Sequence, residues 1–267
     1  MKELSLQDIK KIEFDILKVF DSFCKENNIN YFLANGTLLG AVKYGGFIPW
    51  DDDIDVLVPR EDYDRLISLF ADDGRYQLFE FDRNRKYRFP FAKLCDMTTK
   101  KEEYNIDNGV ILGLDIDIFP LDVWDADLKN AKREVKQIRK KMFYLGLSKL
   151  CKPDSVNLLK RAAKALVMAF CKAFGSARFI LDIKKLSNKS RQKDAFYMGC
   201  KSWCIYGERE IIPAEVFSSV VNIEFEGEKF PAPVGYDVYL RSLYGDYEKD
   251  PPIEKQKSHH RYTAFRI

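Results

Sequence analysis

Four aspartates within five residues, Asp51, Asp52, Asp53 and Asp55, run straight into the apolar stretch Ile54-Asp55-Val56-Leu57-Val58. Side chains two apart on a strand share a face, so Asp51, Asp53 and Asp55 are predicted to project together. Their like charges repel, and no basic neighbour in the sequence balances them. A divalent cation held by carboxylate oxygens removes the conflict, and the pattern calls for Mg²⁺ or Mn²⁺. A run of aspartates before a strand is in general more often a solvated turn with a helix cap. Two features weigh against that here. Asp53 and Asp55 flank Ile54 inside an apolar strand rather than a loop, and Gly36-Thr37 lies just upstream, between the strand-like run 29–33 and the helix-compatible run 38–42. A glycine followed by a hydroxyl residue at a helix N-terminus brings backbone N–H groups to a phosphate.

A second acidic cluster occupies the stretch GLDIDIFPLD, residues 113–122, where Asp115 and Asp117 alternate with Leu114, Ile116 and Ile118. Both carboxylates then share one face of a strand otherwise made of core residues. Such a pair is costly to bury unless it is hydrogen-bonded or coordinates a metal. Asp122 reads as the cap of a turn after Pro120. Lys93, between Ala92 and Leu94, is either an ordinary edge-strand lysine or a cation that reaches donor phosphates.

The string GTLLGAVKYGGFIPWDDDIDV, residues 36–56, closely resembles the signature of the LicD family, which belongs to the nucleotidyltransferase-like superfamily. GLDIDIFPLD and YLRSLYGDYEKDPPIEKQKSHH, residues 239–260, resemble that family's later motifs and follow in the same order. The resemblance implies an α/β fold: a nucleotidyltransferase-like mixed sheet with flanking helices and, in this chain, a basic helical insertion. It implies that Asp53 and Asp55 are catalytic together with a third carboxylate from a neighbouring strand. Asp117 aligns best with that role, as base or further metal ligand, with Asp115 in reserve. Asp51, Asp53, Asp55 and Asp117 then form the metal set. Gly36, Thr37, Lys93, His259 and His260 bind the donor phosphates. The histidine pair on its own is equally a chain tail or the remnant of a tag, and its place at the end of a family-like motif favours the functional reading.

The activity implied is transfer of phosphocholine, or of another phospho-alcohol such as ribitol or glycerol phosphate, from a CDP-linked donor such as CDP-choline to a hydroxyl of a glycan, which is expected to be lipid-linked, with release of CMP. Three rival readings stay open. A nucleotidyltransferase proper would use the same carboxylates and leave the nucleotide on its product. A glycosyltransferase also carries Asp-x-Asp on a strand but does not call for the Gly-Thr turn. A non-catalytic membrane-associated scaffold would leave the two carboxylate clusters unexplained. Aromatic residues including Trp50, Trp124 and Trp203 are the raw material of a cation–π cage, but their ordinary place is the core.

Three segments organise the chain: a catalytic core over 1–125, a basic helical insertion over 126–200, and a C-terminal part over 201–267 that completes core and site. Ser5 with Asp8, and apolar residues from Ile9 to Phe23 at helical spacing, predict a helix over 5–27. Pro59-Arg60 opens a second helix. Residues 76–81 and 88–95 read as strands, 222–230 as a hairpin turning at Glu226-Gly227, 231–233 as an extended link, and 236–244 as a helix. Residues 128–193 hold 19 Lys or Arg against three acidic residues, although the whole chain is only +3. Apolar and basic residues interleave through 158–181. One reading is a basic amphipathic helix on an anionic membrane surface; the other is a solvated helical face packed on the core by its apolar stripe. Nucleic acid is not expected, since no recognisable binding module accompanies the charge.

No apolar run reaches the roughly 20 residues of a membrane span, and no secretory signal follows Met1. The six scattered cysteines suit reduced core thiols. The expected location is therefore cytoplasmic, with peripheral contact at the inner face of the membrane. Cys200 and Cys204 with His259 and His260 offer zinc ligands, but at a spacing unusual for such a site.

Overall fold

A computed structural model describes residues 2–155, 157–189, 195–258 and 261–267. After the short strand β1 (Lys2–Glu3), Ser5 caps helix α1 (Leu6–Glu26) through a full capping box with Asp8. Ile9, Ile12, Ile16, Leu17 and Phe20 fall on the buried face of α1, which packs on the sheet below. Strand β2 (Phe32–Leu33), helix α2 (Asn35–Tyr44), strand β3 (Asp55–Pro59) and helix α3 (Arg60–Leu69) follow. Then come the strands β4 (Tyr76–Phe79), β5 (Ala92–Glu103) and β6 (Leu112–Val123).

Three helices, α4 (Leu128–Lys149), α5 (Leu158–Phe174) and α6 (Ser176–Ser187), precede the small strands β7 (Tyr197–Gly199) and β8 (Ile212–Pro213). The chain ends with the hairpin β9 (Val220–Phe225) and β10 (Glu228–Pro233), helix α7 (Tyr236–Tyr244) and strand β11 (Tyr262–Arg266). The architecture is α/β, as predicted.

The main sheet runs β1-β11-β5-β6-β3-β2, with β4 also on β5 and β7 joining β6 to β8. β3 and β6 are parallel; the other pairs are antiparallel. A mixed sheet of this kind lets a crossover deliver β3 beside β6 in the same direction, so the two acidic segments lie side by side. The last strand, β11, inserts between β1 and β5. The helices α4 to α6 close over a second apolar cluster, which includes Val135, Ile138, Met168, Cys171, Ile180 and Ile183.

Several sequence-based expectations are corrected. The strand predicted at 88–95 begins at Ala92 and continues to Glu103, because the charged tail from Thr99 to Glu103 pairs with β11. Asp122 does not cap a turn: β6 continues through Pro120, and the Asp122 carboxylate takes two hydrogen bonds from the Arg60 guanidinium, at 2.8 and 3.0 Å. Residues 231–233 are not a link but the end of β10, which sits at the edge of a two-stranded sheet where proline is tolerated. The turn at Glu226-Gly227 is as predicted, with positive φ at both positions, as a two-residue hairpin of the I′ type requires.

A candidate active site across three strands

The site is assembled around the backbone of Asp55. Its N–H donates to the Thr37 hydroxyl at 2.8 Å, and its carbonyl accepts from the Ala34 N–H at 3.0 Å. The junction of β2 and α2 therefore grips the first residue of β3 from both sides. Asn35 within that junction has φ of +45°, a left-handed conformation that asparagine tolerates better than most residues. The Asn35 side chain hydrogen-bonds to the Asp55 carboxylate, and its Oδ1 accepts from the Tyr239 hydroxyl of α7 at 2.9 Å. Sequence reasoning missed Asn35; the Asn-Gly dipeptide, a turn signal, was the available clue.

Glycines bring the aspartates back to this junction. Gly45 ends α2 with φ of +68°, and a Cβ on Gly40 would lie 2.4 Å from the Gly46 carbonyl oxygen. The chain thus folds tightly against its own helix and returns Asp51 to within 3.0 Å of where a Cβ on Gly36 would stand. Residues 51–54 carry no regular secondary structure, so the strand starts at Asp55, two residues later than the alternation predicted. The alternation still governs direction. Asp51, Asp53 and Asp55 line one cleft of about 1020 Å³. Asp52 does not line it: the side chain is buried, accepts from the Ser258 hydroxyl at 2.8 Å and bonds Tyr262.

Strand register then sets a row across the sheet: Asp55 lies opposite Asp117, and Asp117 opposite Lys93. The Lys93 ammonium reaches Asp115 at 2.7 Å and also bonds Asp117. Lys101 adds a contact to Asp115 at 3.1 Å. Lys93 therefore faces the carboxylates of β6, while Gly36 faces the large cleft. A smaller cavity of about 270 Å³ lies on the far side, lined by Lys93, Asp115, Asp117, Phe89, Phe91 and Trp203 among others. Asp53 lines both cavities. Among the predicted phosphate-binding groups, Thr37 is buried beneath the cleft with its hydroxyl on Asp55, and His259 and His260 lie outside the described residues.

Burial raises the Asp55 carboxyl well above the usual range, and the charges of Asp53 and Asp117 push it further. Burial also raises Asp117, an effect that Lys93 only partly offsets. At Asp115 the balance is reversed: burial is outweighed by Lys101 and Lys93, and the group is held down to about 2. Glu13 of α1 is fully buried nearby, with no hydrogen-bond partner for either carboxyl oxygen among the described residues, and burial pushes its carboxyl well above the usual range. The faces of Phe89 and Phe91 already meet the ammonium groups of Lys93 and, at Phe89, of Lys149 at 3.0 Å from the ring centre. These rings are not an open cage.

Hard oxygen donors whose charges repel are the setting that a divalent cation stabilises. Among the described residues, no three Asp, Glu, His or Cys groups converge as a ready-made cage. Mg²⁺ does not need one, since it usually keeps waters and is held by one or two carboxylates plus substrate phosphates. In kind, the residues present fit that ion. Zinc has less support: Cys200 and Cys204 are buried in different apolar clusters, where burial raises both thiols.

Comparison with known proteins finds a family match and several relatives. The sequence model of the family described as "LicD/FKTN/FKRP, nucleotidyltransferase domain" matches residues 28–145. Lipopolysaccharide cholinephosphotransferase LicD of Haemophilus influenzae is 30% identical over 270 residues, covering 99% of both chains. Two uncharacterized proteins, RT0683 of Rickettsia typhi and RP689 of Rickettsia prowazekii, are each 43% identical to shorter stretches of 76 and 61 residues. Those stretches cover 27% and 23% of this chain, and 22% and 20% of the Rickettsia proteins.

Proposed function

Because the chain belongs to the LicD family, we propose that it is a metal-dependent phosphotransferase. It moves phosphocholine, or a related phospho-alcohol such as ribitol or glycerol phosphate, from a CDP-linked donor to a hydroxyl of a cell-surface glycan, and it releases CMP. The observation that carries this reading is the position of Asp53, shared by two cavities beside the Asp55–Asp117 row.

The large cleft has room for a nucleotide, and Lys255 and Lys257 on its walls suit the charge of one, while Lys43 and Lys249 there are paired with Asp250 and Asp246. Backbone N–H groups at the start of α2, beside Gly36, meet the donor diphosphate. Asp51, Asp53 and Asp55 would hold Mg²⁺ or Mn²⁺ with assistance from Asp117; when bound, the ion neutralises charge on the phosphate oxygens. Asp117, made more basic by burial, takes the proton of the acceptor hydroxyl. The acceptor oxygen forms its bond to the phosphorus that bears the alcohol, and the bond from that phosphorus to the bridging oxygen breaks, so that CMP leaves with the electron pair. Lys93 and Lys101 keep Asp115 and Asp117 in place. In the second reading, supported by the nucleotidyltransferase description of the family domain, attack falls on the other phosphorus and the nucleotide goes to the acceptor.

The test is CMP release from CDP-choline, CDP-ribitol and CDP-glycerol in the presence of a lipopolysaccharide acceptor. One donor is expected to give release that EDTA abolishes and Mg²⁺ or Mn²⁺ restores. Release that persists under chelation would remove the metal from the account.

A further inference from the structure

Helix α5 is amphipathic, but its apolar side is turned outwards. At 100° per residue, Leu159, Ala162, Leu166, Ala169, Phe170 and Ala173 fall on one face, and all six are exposed. Leu159 is 82% exposed, Leu166 75% and Phe170 62%. The side turned to the protein buries only Met168 and Cys171. The cations Lys160, Arg161, Lys164 and Lys172 lie on the inner side and its flanks, where Lys164 is paired with Asp154. This overturns the expectation of a solvated helical face packed on the core by its apolar stripe: the apolar stripe is the solvated face. Phe174 continues the stripe and stacks on the buried Phe179, which anchors the helix end in the core of the helical unit.

We propose that α5 is a membrane-docking element, which lies flat in the interface of an anionic lipid surface with Leu159, Leu166 and Phe170 inserted among the acyl chains. Charge selects this occupant. Residues 128–193 carry 19 basic against three acidic residues, and negatively charged headgroups attract such a unit. A second copy of this chain would bring the same positive unit against itself, and the repulsion would oppose the apolar contact. At 17 residues α5 lies on a bilayer, and among the described residues no helix is long and apolar enough to cross one. The long stems of the flanking lysines and arginines reach past the apolar face to the headgroups.

The experiment is co-sedimentation of the full chain with phosphatidylcholine vesicles, with and without phosphatidylglycerol, comparing wild type with the double variant Leu166→Glu/Phe170→Glu. Wild type is expected to bind the phosphatidylglycerol vesicles, less so as salt is raised. The double variant is expected to bind them more weakly by roughly a hundred-fold, as loss of two buried apolar side chains implies. These side chains contribute little to the protein's own core, so the variant is expected to fold. Phe170→Trp gives an independent reading: the added tryptophan emission shifts to shorter wavelength when vesicles are added. Absence of binding, equal binding by wild type and the double variant, or an emission of the Phe170→Trp variant that vesicles leave unshifted overturns the proposal. So does a dimer in the ultracentrifuge that the double variant splits while vesicles remain unbound, which would identify the occupant as a second copy.

Discussion

Asp53→Ala is expected to lower CMP release by about a thousand-fold or more, roughly the 4 kcal/mol of transition-state stabilisation that a lost metal ligand costs, while the folded chain is no less stable. The two halves of that result have one cause. Asp53 lies ahead of the β3 ladder and borders both cavities. Its charge is among those that push the buried Asp55 carboxyl upward. Its removal takes away a like charge from the apo protein and, in this account, a ligand from the loaded one. A structural aspartate would behave in the opposite way, with a lower melting temperature and proportionate residual activity. The check is initial CMP release alongside thermal melts without and with Mg²⁺. The cation should raise the melting temperature of wild type more than that of the variant.

The largest effect on stability is expected from Lys93→Met. The change leaves the buried Asp115 and the half-buried Asp117 without their shared ammonium, with Lys101 still bonded to Asp115. Removing one partner from a buried ionic cluster costs about 3–5 kcal/mol. The sign of the pH dependence follows from Asp115. Its carboxyl is held at about 2 in the native protein, below the ordinary 3.8, so its stabilisation is present above pH ~4 and is lost as pH falls towards 2. Without Lys93 both carboxyls titrate upward, and Asp117, already raised, is then still more readily protonated in the folded chain than in the unfolded one. The deficit of the variant should therefore be largest at neutral pH and shrink as pH falls towards about 4. Urea unfolding across that range measures it. A deficit that is independent of pH would mean that Lys93 stabilises only by packing over Phe89 and Phe91.

What could be read from the sequence divides along physical lines. Local signals carried far: the Ser5–Asp8 capping box, the positive-φ turn at Glu226-Gly227 and the α7 bounds all lie where the residues themselves determine conformation. The direction of Asp51, Asp53 and Asp55 followed from periodicity, and the α/β class from the family resemblance of the motifs. Features set by distant partners were not legible. Lys100, Lys101, Glu102 and Glu103 lie beyond the strand predicted at 88–95, and they continue β5 because β11 returns from the far end of the chain to pair with them. Asp122 looks like a cap because the Arg60 that neutralises it is 62 residues away. Lys93 reads as an edge-strand lysine or a phosphate ligand, and its bonds to Asp115 and Asp117 emerge only from the register of β5 on β6. The periodicity of α5 reveals two faces but not which one is turned inwards; only packing against Met168 and Cys171 decides that.

The most direct test of the central claim is to follow each half of the donor. CDP-choline labelled separately in choline and in cytidine, incubated with Mg²⁺ and a lipopolysaccharide acceptor, distinguishes the two possible points of attack. The account predicts the choline label on the glycan and the cytidine label in free CMP, with both signals lost in Asp53→Ala. Cytidine label on the acceptor would contradict it, and would make the same row of carboxylates the site of a nucleotidyl transfer.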